Sequence, residues 1–214
     1  MAFFDELQSR TVAERAELLS LPAIADCLAG RVTRSRYIAF LREAYHHVKH
    51  TVPLLMACGS RLGDERATLR DAITEYIADE TGHDAWILDD LRACGEDPEA
   101  ARRAQPAPAT ELMVAYVYDY IARVNPAGFL GMVHVLEGTS NAIATRAADV
   151  IARALSLPSA AFTYLTSHGA LDQEHVRFFE RTVNGLEPAD RDHVVHVARR
   201  VYRLYGDIFR GLPS

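Results

Sequence analysis

Six side chains with the chemistry of metal ligands fall where a helical core should be apolar. An α-helix turns about 100° per residue, so positions three, four and seven apart share a face. In one long helical segment the apolar stripe is Leu69, Ile73, Tyr76, Ile87 and Leu91, and Glu80 and His83 sit in its middle, inside EYIADETGHDAWILDDL. His168, Asp172 and His175 share a stripe with Leu165, Leu171, Phe179 and Val183. Glu137, within GMVHVLEGTSNAIATR, shares a face with Leu130, Val133, Ala144, Ala148 and Leu155. Burying a carboxylate is costly unless it is paired or bound to a metal. Taken singly, each residue has an ordinary explanation. A lone core histidine is commonly hydrogen-bonded, and a lone inward glutamate commonly meets an arginine. No Arg or Lys lies on these three stripes to neutralise three carboxylates, so the six point together to a metal site.

The donor set indicates the metal. It contains no thiolate and balances carboxylates with imidazoles, which suits iron or manganese better than zinc or copper. Six or seven ligands exceed the needs of one ion, whereas two ions about 3.5–4 Å apart would use them all. Glu-x-x-His on a bundle helix is the arrangement of di-iron carboxylate proteins. A further helix, in LREAYHHVKH, should face the same centre and carries Glu43, His46, His47 and His50. Its main stripe is Tyr37, Leu41, Tyr45, Val48, Val52 and Leu55, with Glu43 and His47 on a neighbouring face. The seventh position falls to Glu43, His46 or His47, and His47 completes the expected set. His134, one turn before Glu137, is a candidate hydrogen-bonding partner of the ligands. His193 and His196 read as surface or groove residues.

The elements that must position these groups are helices. Alternating β-branched runs and Asn-Gly hairpins are absent. Turn residues divide the chain into short helices over the first 30 or so residues, broken at Leu21-Pro22 and Gly30. A helix then runs from Thr33 to about Gly59 with a kink at Pro53, and a second from Asp64 to about Cys94. Residues 95–109 form a loop with one helical turn. A third helix begins at Thr110 and stops before Asn125-Pro126. A fourth spans about Pro126 to Leu155, a fifth Pro158 to about Asn184, and a sixth Pro188 to about Arg210. The expectation is an all-α, up-and-down bundle of six or seven long helices in one domain, 1–214.

Composition bounds the function. The 214 residues, 49% hydrophobic and 24% charged, can form one core without disulfide staples. A net charge of −6 leaves no broad basic field for a phosphate backbone, so nucleic acid is excluded as a partner. The three cysteines, Cys27, Cys58 and Cys94, are widely spaced, which argues against disulfides and a thiolate zinc site. The first residues, MAFFDELQSR, carry acids where a signal peptide carries bases, and no apolar run reaches membrane-spanning length. The expected setting is the cytoplasm, with no membrane partner.

The set Glu80-x-x-His83, Glu137 in VLEGTS, and His168-x3-Asp172-x2-His175 resembles the haem-oxygenase-like di-iron oxidases and oxygenases. Their wider superfamily includes thiaminase-II-like and pyrroloquinoline-quinone-synthase-like proteins. The resemblance covers about residues 33–185. It implies a seven-helix bundle, two Fe(II) ions per chain, activation of dioxygen, a small organic substrate and a homodimer. By that resemblance Glu80 and His83 are the second-helix ligands, Glu137 the middle-helix carboxylate, and His168, Asp172 and His175 the last-helix triad. The family often has a glutamate on its first core helix, where this chain offers His46 or His47, with Glu43 one turn earlier. The implied activity is oxidation of an amino-acid-, fatty-acid- or aromatic-like compound in a specialised biosynthetic pathway. The alternatives are a metal-free oxidase or thiaminase-like enzyme of the same fold, or a binding or regulatory protein. The thiaminase-like branch needs a core cysteine, and none of the three lies on the ligand stripes. The quinone-synthase branch works without metal through His and Arg, which three carboxylates fit poorly.

Overall fold

The computed structural model describes residues 1–213, apart from the side chains of residues 168–174. Among the described residues it is all helix. Three short helices lead the chain: α1 (Phe3–Arg10), α2 (Val12–Leu19) and α3 (Pro22–Leu28). The bundle follows as α4 (Arg34–Val48), α5 (Thr51–Gly59), α6 (Ala67–Glu80) and α7 (His83–Ala93). After the single turn α8 (Pro98–Arg103) come α9 (Pro108–Arg123), α10 (Phe129–Leu155), α11 (Thr163–Asn184) and α12 (Pro188–Arg210).

Two expected continuous helices are interrupted, and each break has a physical cause. The Thr33–Gly59 helix stops at Val48 and restarts at Thr51, two residues before Pro53. A proline clashes with the carbonyl four residues earlier, here that of Lys49, and lacks an N–H. The break at Lys49-His50 places Pro53 in the first turn of α5, where neither defect matters. The Asp64–Cys94 helix breaks at Thr81-Gly82: Thr81 is extended (ψ 118°) and Gly82 adopts φ +96°. Only glycine takes that left-handed conformation without strain. Glu80 therefore ends α6 and His83 begins α7, rather than sharing one helix.

The buried side chains form two apolar groups joined by α10. One gathers Leu54, Ile73, Met113 and Val197 with the N-terminal half of α10 through Leu130 and Val135. The other gathers Leu41, Ile87 and Leu91 with its C-terminal half through Ala144 and Ile151. Glu137 lies on α10 between the two. Polar anchors hold the surrounding helices. Asp90 of α7, fully buried, accepts the backbone N–H groups of Thr163 (2.8 Å) and Tyr164 (2.9 Å), so it caps α11. Burial pushes the Asp90 carboxyl up to about 6. Asp190, at the start of α12, accepts from Arg66 (2.9 Å) and Asn125 (2.8 Å).

His134 ties the N-terminal helices to α10. The Thr11 hydroxyl donates to the Leu7 carbonyl (2.8 Å), so its oxygen accepts from His134 Nε2–H at 3.2 Å. His134 is thus an anchor for α1 and α2. Burial pushes its pKa down to about 4. The unfolded chain takes up this proton near pH 6.5 while the folded chain resists it until about 4. Stability is therefore full above 6.5 and falls as the pH drops, by about 3 kcal/mol once the folded pKa is passed. Urea unfolding at pH 7 and pH 4.5 should show a larger loss for the unaltered protein than for His134→Gln. Parallel losses would refute this reading.

Candidate metal centre

Glu80 at the end of α6, Glu137 in the middle of α10 and His175 on α11 each bring a ligand atom within 4.8 Å of the other two. These are three of the seven residues expected from the sequence. A fourth, His83, is buried at the start of α7 and places Nδ1 3.1 Å from Glu80 Oε2. The carboxylate can only accept, so Nδ1 carries the hydrogen that faces Glu80, and in that neutral tautomer the lone pair is on Nε2. The ring stacks on Trp86 with centroids 4.1 Å apart. His168 and Asp172 lie outside the described residues.

The three candidates on α4 separate cleanly. Glu43 accepts the Ala107 backbone N–H (3.1 Å) and the Thr110 hydroxyl, so it secures the first turn of α9. His46 places Nδ1 3.1 Å from Lys49 Nζ and packs on Tyr45. His47 lines the same cavity as Glu80 and Glu137, with its ring edge-on to Tyr205 at 5.8 Å. The geometry thus selects His47 as the α4 residue beside the cluster.

That cavity, partly open to solvent, spans about 600 Å³. Leu55, Phe129, Met132 and Val133 give it apolar walls, and Tyr76 and Tyr164 also line it. In the sequence both tyrosines could line a pocket or simply pack in the core. The Tyr76 hydroxyl is buried with no hydrogen-bond partner among the described residues. Burial, reinforced by the Glu137 and Glu80 charges, holds this phenol far above its ordinary pKa, so it keeps its proton at neutral pH. No cysteine lines this cavity among the described residues: Cys58 donates to the Pro126 carbonyl (3.2 Å), and Cys27 borders a separate apolar cavity. His193 bonds the Tyr120 hydroxyl (2.7 Å), away from the cluster.

The donor chemistry fits a metal. Two carboxylates and an imidazole converge from three helices in a mostly apolar pocket, with two further imidazoles at its edge. Oxygen and nitrogen donors without sulfur suit iron or manganese.

Comparison with known proteins agrees in kind. A family model described as iron-containing redox enzyme matches residues 38–206. A protein of Shewanella denitrificans OS217, described as a domain of unknown function with a heme oxygenase-like fold, superposes with a TM-score of 0.85 at 23% identity. That match covers 97% of this chain and 90% of the other. A TenA homologue from Pseudomonas syringae pv. tomato DC3000 gives 0.81 at 12% identity, covering 98% and 91%. Heme oxygenase-1 from Synechocystis sp. PCC6803, solved with heme, gives 0.78 at 11% identity, covering 98% and 91%. These likenesses establish the heme oxygenase-like all-α fold. No curated protein matches the chain.

Proposed function

The chain belongs to the iron-containing redox enzyme family, and on that premise we propose that it is a non-haem di-iron oxidase or oxygenase. It uses dioxygen to oxidise a small organic substrate. The observation that carries this reading is the convergence of Glu80, Glu137 and His175 within 4.8 Å. His47, Glu80, His83, Glu137, His168, Asp172 and His175 hold two Fe(II) ions. Bound iron supplies the electrons and the open coordination positions that dioxygen chemistry requires.

The chain's own residues define what surrounds that chemistry. Glu80 accepts from His83 Nδ1, which fixes the ring tautomer and presents Nε2 as the ligand atom. Trp86, stacked on His83, restricts the ring's rotation. Tyr76 holds its proton at Oη beside the two glutamates and can donate a hydrogen bond where negative charge develops. Leu55, Phe129, Met132 and Val133 exclude water, which strengthens each electrostatic interaction inside. The small substrate enters this space. The reading also carries a homodimer, which the mass of the protein in solution checks.

Anaerobic loading with Fe(II), followed by removal of free metal, should leave two irons per chain. Mixing the loaded protein with dioxygen should then consume oxygen faster than the same concentration of free Fe(II). An iron content near zero would overturn the proposal and favour a metal-free enzyme. Iron without accelerated oxygen consumption, under every substrate tried, would favour a binding protein.

A further inference from the structure

A second cavity, of about 440 Å³ and partly open to solvent, lies behind Glu137. Among the described residues Glu137 is the one that lines both this space and the metal cavity. The two spaces differ in character. The metal cavity has apolar walls, whereas Gln8, Arg15, His134, Asn141 and Tyr202 line the one behind it. Apart from Glu137, Arg15 is the one charged residue on these walls among the described residues.

The fold delivers Arg15 to this place and leaves its charge uncompensated. Thr11, whose hydroxyl bonds His134, stands at the start of α2, and the Arg15 backbone N–H donates to the Thr11 carbonyl at 3.0 Å. Arg15 is therefore one helical turn beyond the anchor that ties α2 to α10. It is half-buried and donates to Gln8 Oε1 across a long 3.4 Å. None of the ion pairs among the described residues involves it. The nearby acids are committed elsewhere: Glu6 pairs with Arg10, Glu14 with Arg199 and Glu17 with Arg210. The guanidinium charge reaches the cavity walls. Burial first, and then Arg15, lowers the His134 pKa, and Arg15 counters the rise that burial imposes on the Tyr202 phenol. His134 precedes Glu137 by one turn of α10. Arg15 itself lies before the segment that the family model matches, 38–206.

We propose that Arg15 is a positioning charge behind Glu137, which weakens the hold of the centre on divalent cations and favours ferrous over ferric iron. Like charges repel in inverse proportion to distance, and more strongly in a partly buried space than in water. Each iron that passes from ferrous to ferric gives up one electron and adds one positive charge, which the guanidinium opposes. Arg15 ligates nothing in this reading and acts across the Glu137 side chain, as the surroundings of metal ligands commonly do. The proposal rests on the metal centre of the proposed function, and its first test requires no turnover.

That test is equilibrium titration of the metal-free, full-length protein with Mn(II), in the unaltered chain, Arg15→Gln and Arg15→Lys. Removal of the charge in Arg15→Gln should tighten Mn(II) binding about fivefold. Arg15→Lys, which keeps the charge, should stay within about twofold of the unaltered chain. Should glutamine disturb α2, Arg15→Met keeps the aliphatic stem and gives the same reading. In the iron-loaded protein, poised at one potential against a redox mediator that takes up the electron, Arg15→Gln should raise the ferric-to-ferrous ratio about fivefold. A merely structural arginine predicts the opposite sign, because loosening α2 would weaken binding, and lysine would not restore it. Unchanged or weaker Mn(II) binding by Arg15→Gln would overturn the proposal and leave the metal centre standing. Failure of the unaltered protein to bind Mn(II) and Fe(II) alike would overturn the metal centre and this proposal with it.

Discussion

Glu137→Ala should bind iron at least about 100-fold more weakly than the unaltered chain, since even the hydrogen-bonding partners of ligands are worth 10–100-fold. Its thermal stability should move in the opposite direction. Without metal, Glu80 and Glu137 place carboxylate oxygens within 4.8 Å of one another in an apolar pocket. Like charges at that spacing repel, and neither is solvated as it would be in water. Removing one relieves the repulsion, so the metal-free variant should melt at the same temperature as the unaltered protein or above it. With Fe(II) present the order should reverse. The unaltered protein gains stability by binding metal in its folded state alone, and the variant does not. That crossing distinguishes a metal ligand from a structural glutamate, whose removal would lower both curves. Glu43→Gln supplies the contrast. Glu43 accepts from the Ala107 N–H and the Thr110 hydroxyl at the start of α9, so its substitution should lower both melting temperatures and leave iron content unchanged. Iron content and two melting curves per variant decide the matter. Normal iron loading of Glu137→Ala would sink the assignment.

The helical pattern was largely readable because turn residues punctuate it. Pro188 and Arg210 bound α12 where the periodicity placed them, and α9 and the end of α10 lie within a few residues of expectation. The two interior breaks were not readable, for a specific reason. The stripe from Tyr76 to Ile87 keeps its phase across Thr81-Gly82, so periodicity gives no sign of the left-handed glycine. The fate of Glu43 depends on the start of α9 arriving beside it from more than 60 positions away, which spacing along one helix does not encode. Arg15 carries the same lesson. An arginine on a short N-terminal helix reads as solvated, and its place behind Glu137 depends on α10, α11 and α12. Convergence of Glu80, Glu137 and His175 was foreshadowed because each is a polar residue in an apolar stripe. Tyr76 could be read as lining a pocket but not told from packing, because a tyrosine in such a stripe suits both.

Gly131→Ala should be the most damaging conservative substitution in α10. A Cβ at Gly131 would lie 2.4 Å from the Val194 carbonyl oxygen and 2.6 Å from the Ala198 nitrogen. Both are backbone atoms of α12, so no side-chain rotation relieves the clash and the two helices must move apart. Overpacking of a rigid core costs about 1–3 kcal/mol, and backbone contacts this short belong at the upper end. Alanine's better helix propensity returns about 1 kcal/mol, leaving a net loss of roughly 2 kcal/mol. For a chain of this size that lowers the melting temperature by about 4–8 °C. The same helix provides its own control. A Cβ at Gly138 meets nothing within 4 Å, so Gly138→Ala keeps only the propensity gain and should raise stability by up to about 1 kcal/mol. One chemical change at two sites seven residues apart thus acquires opposite signs. Thermal unfolding of the two metal-free variants measures both, and equal stability at positions 131 and 138 would contradict the packing argument. The consequence reaches the metal centre. Glu137 stands between these two glycines, so forcing α10 away from α12 displaces it from Glu80 and His175. Gly131→Ala should accordingly lose iron affinity although its own position carries no ligand.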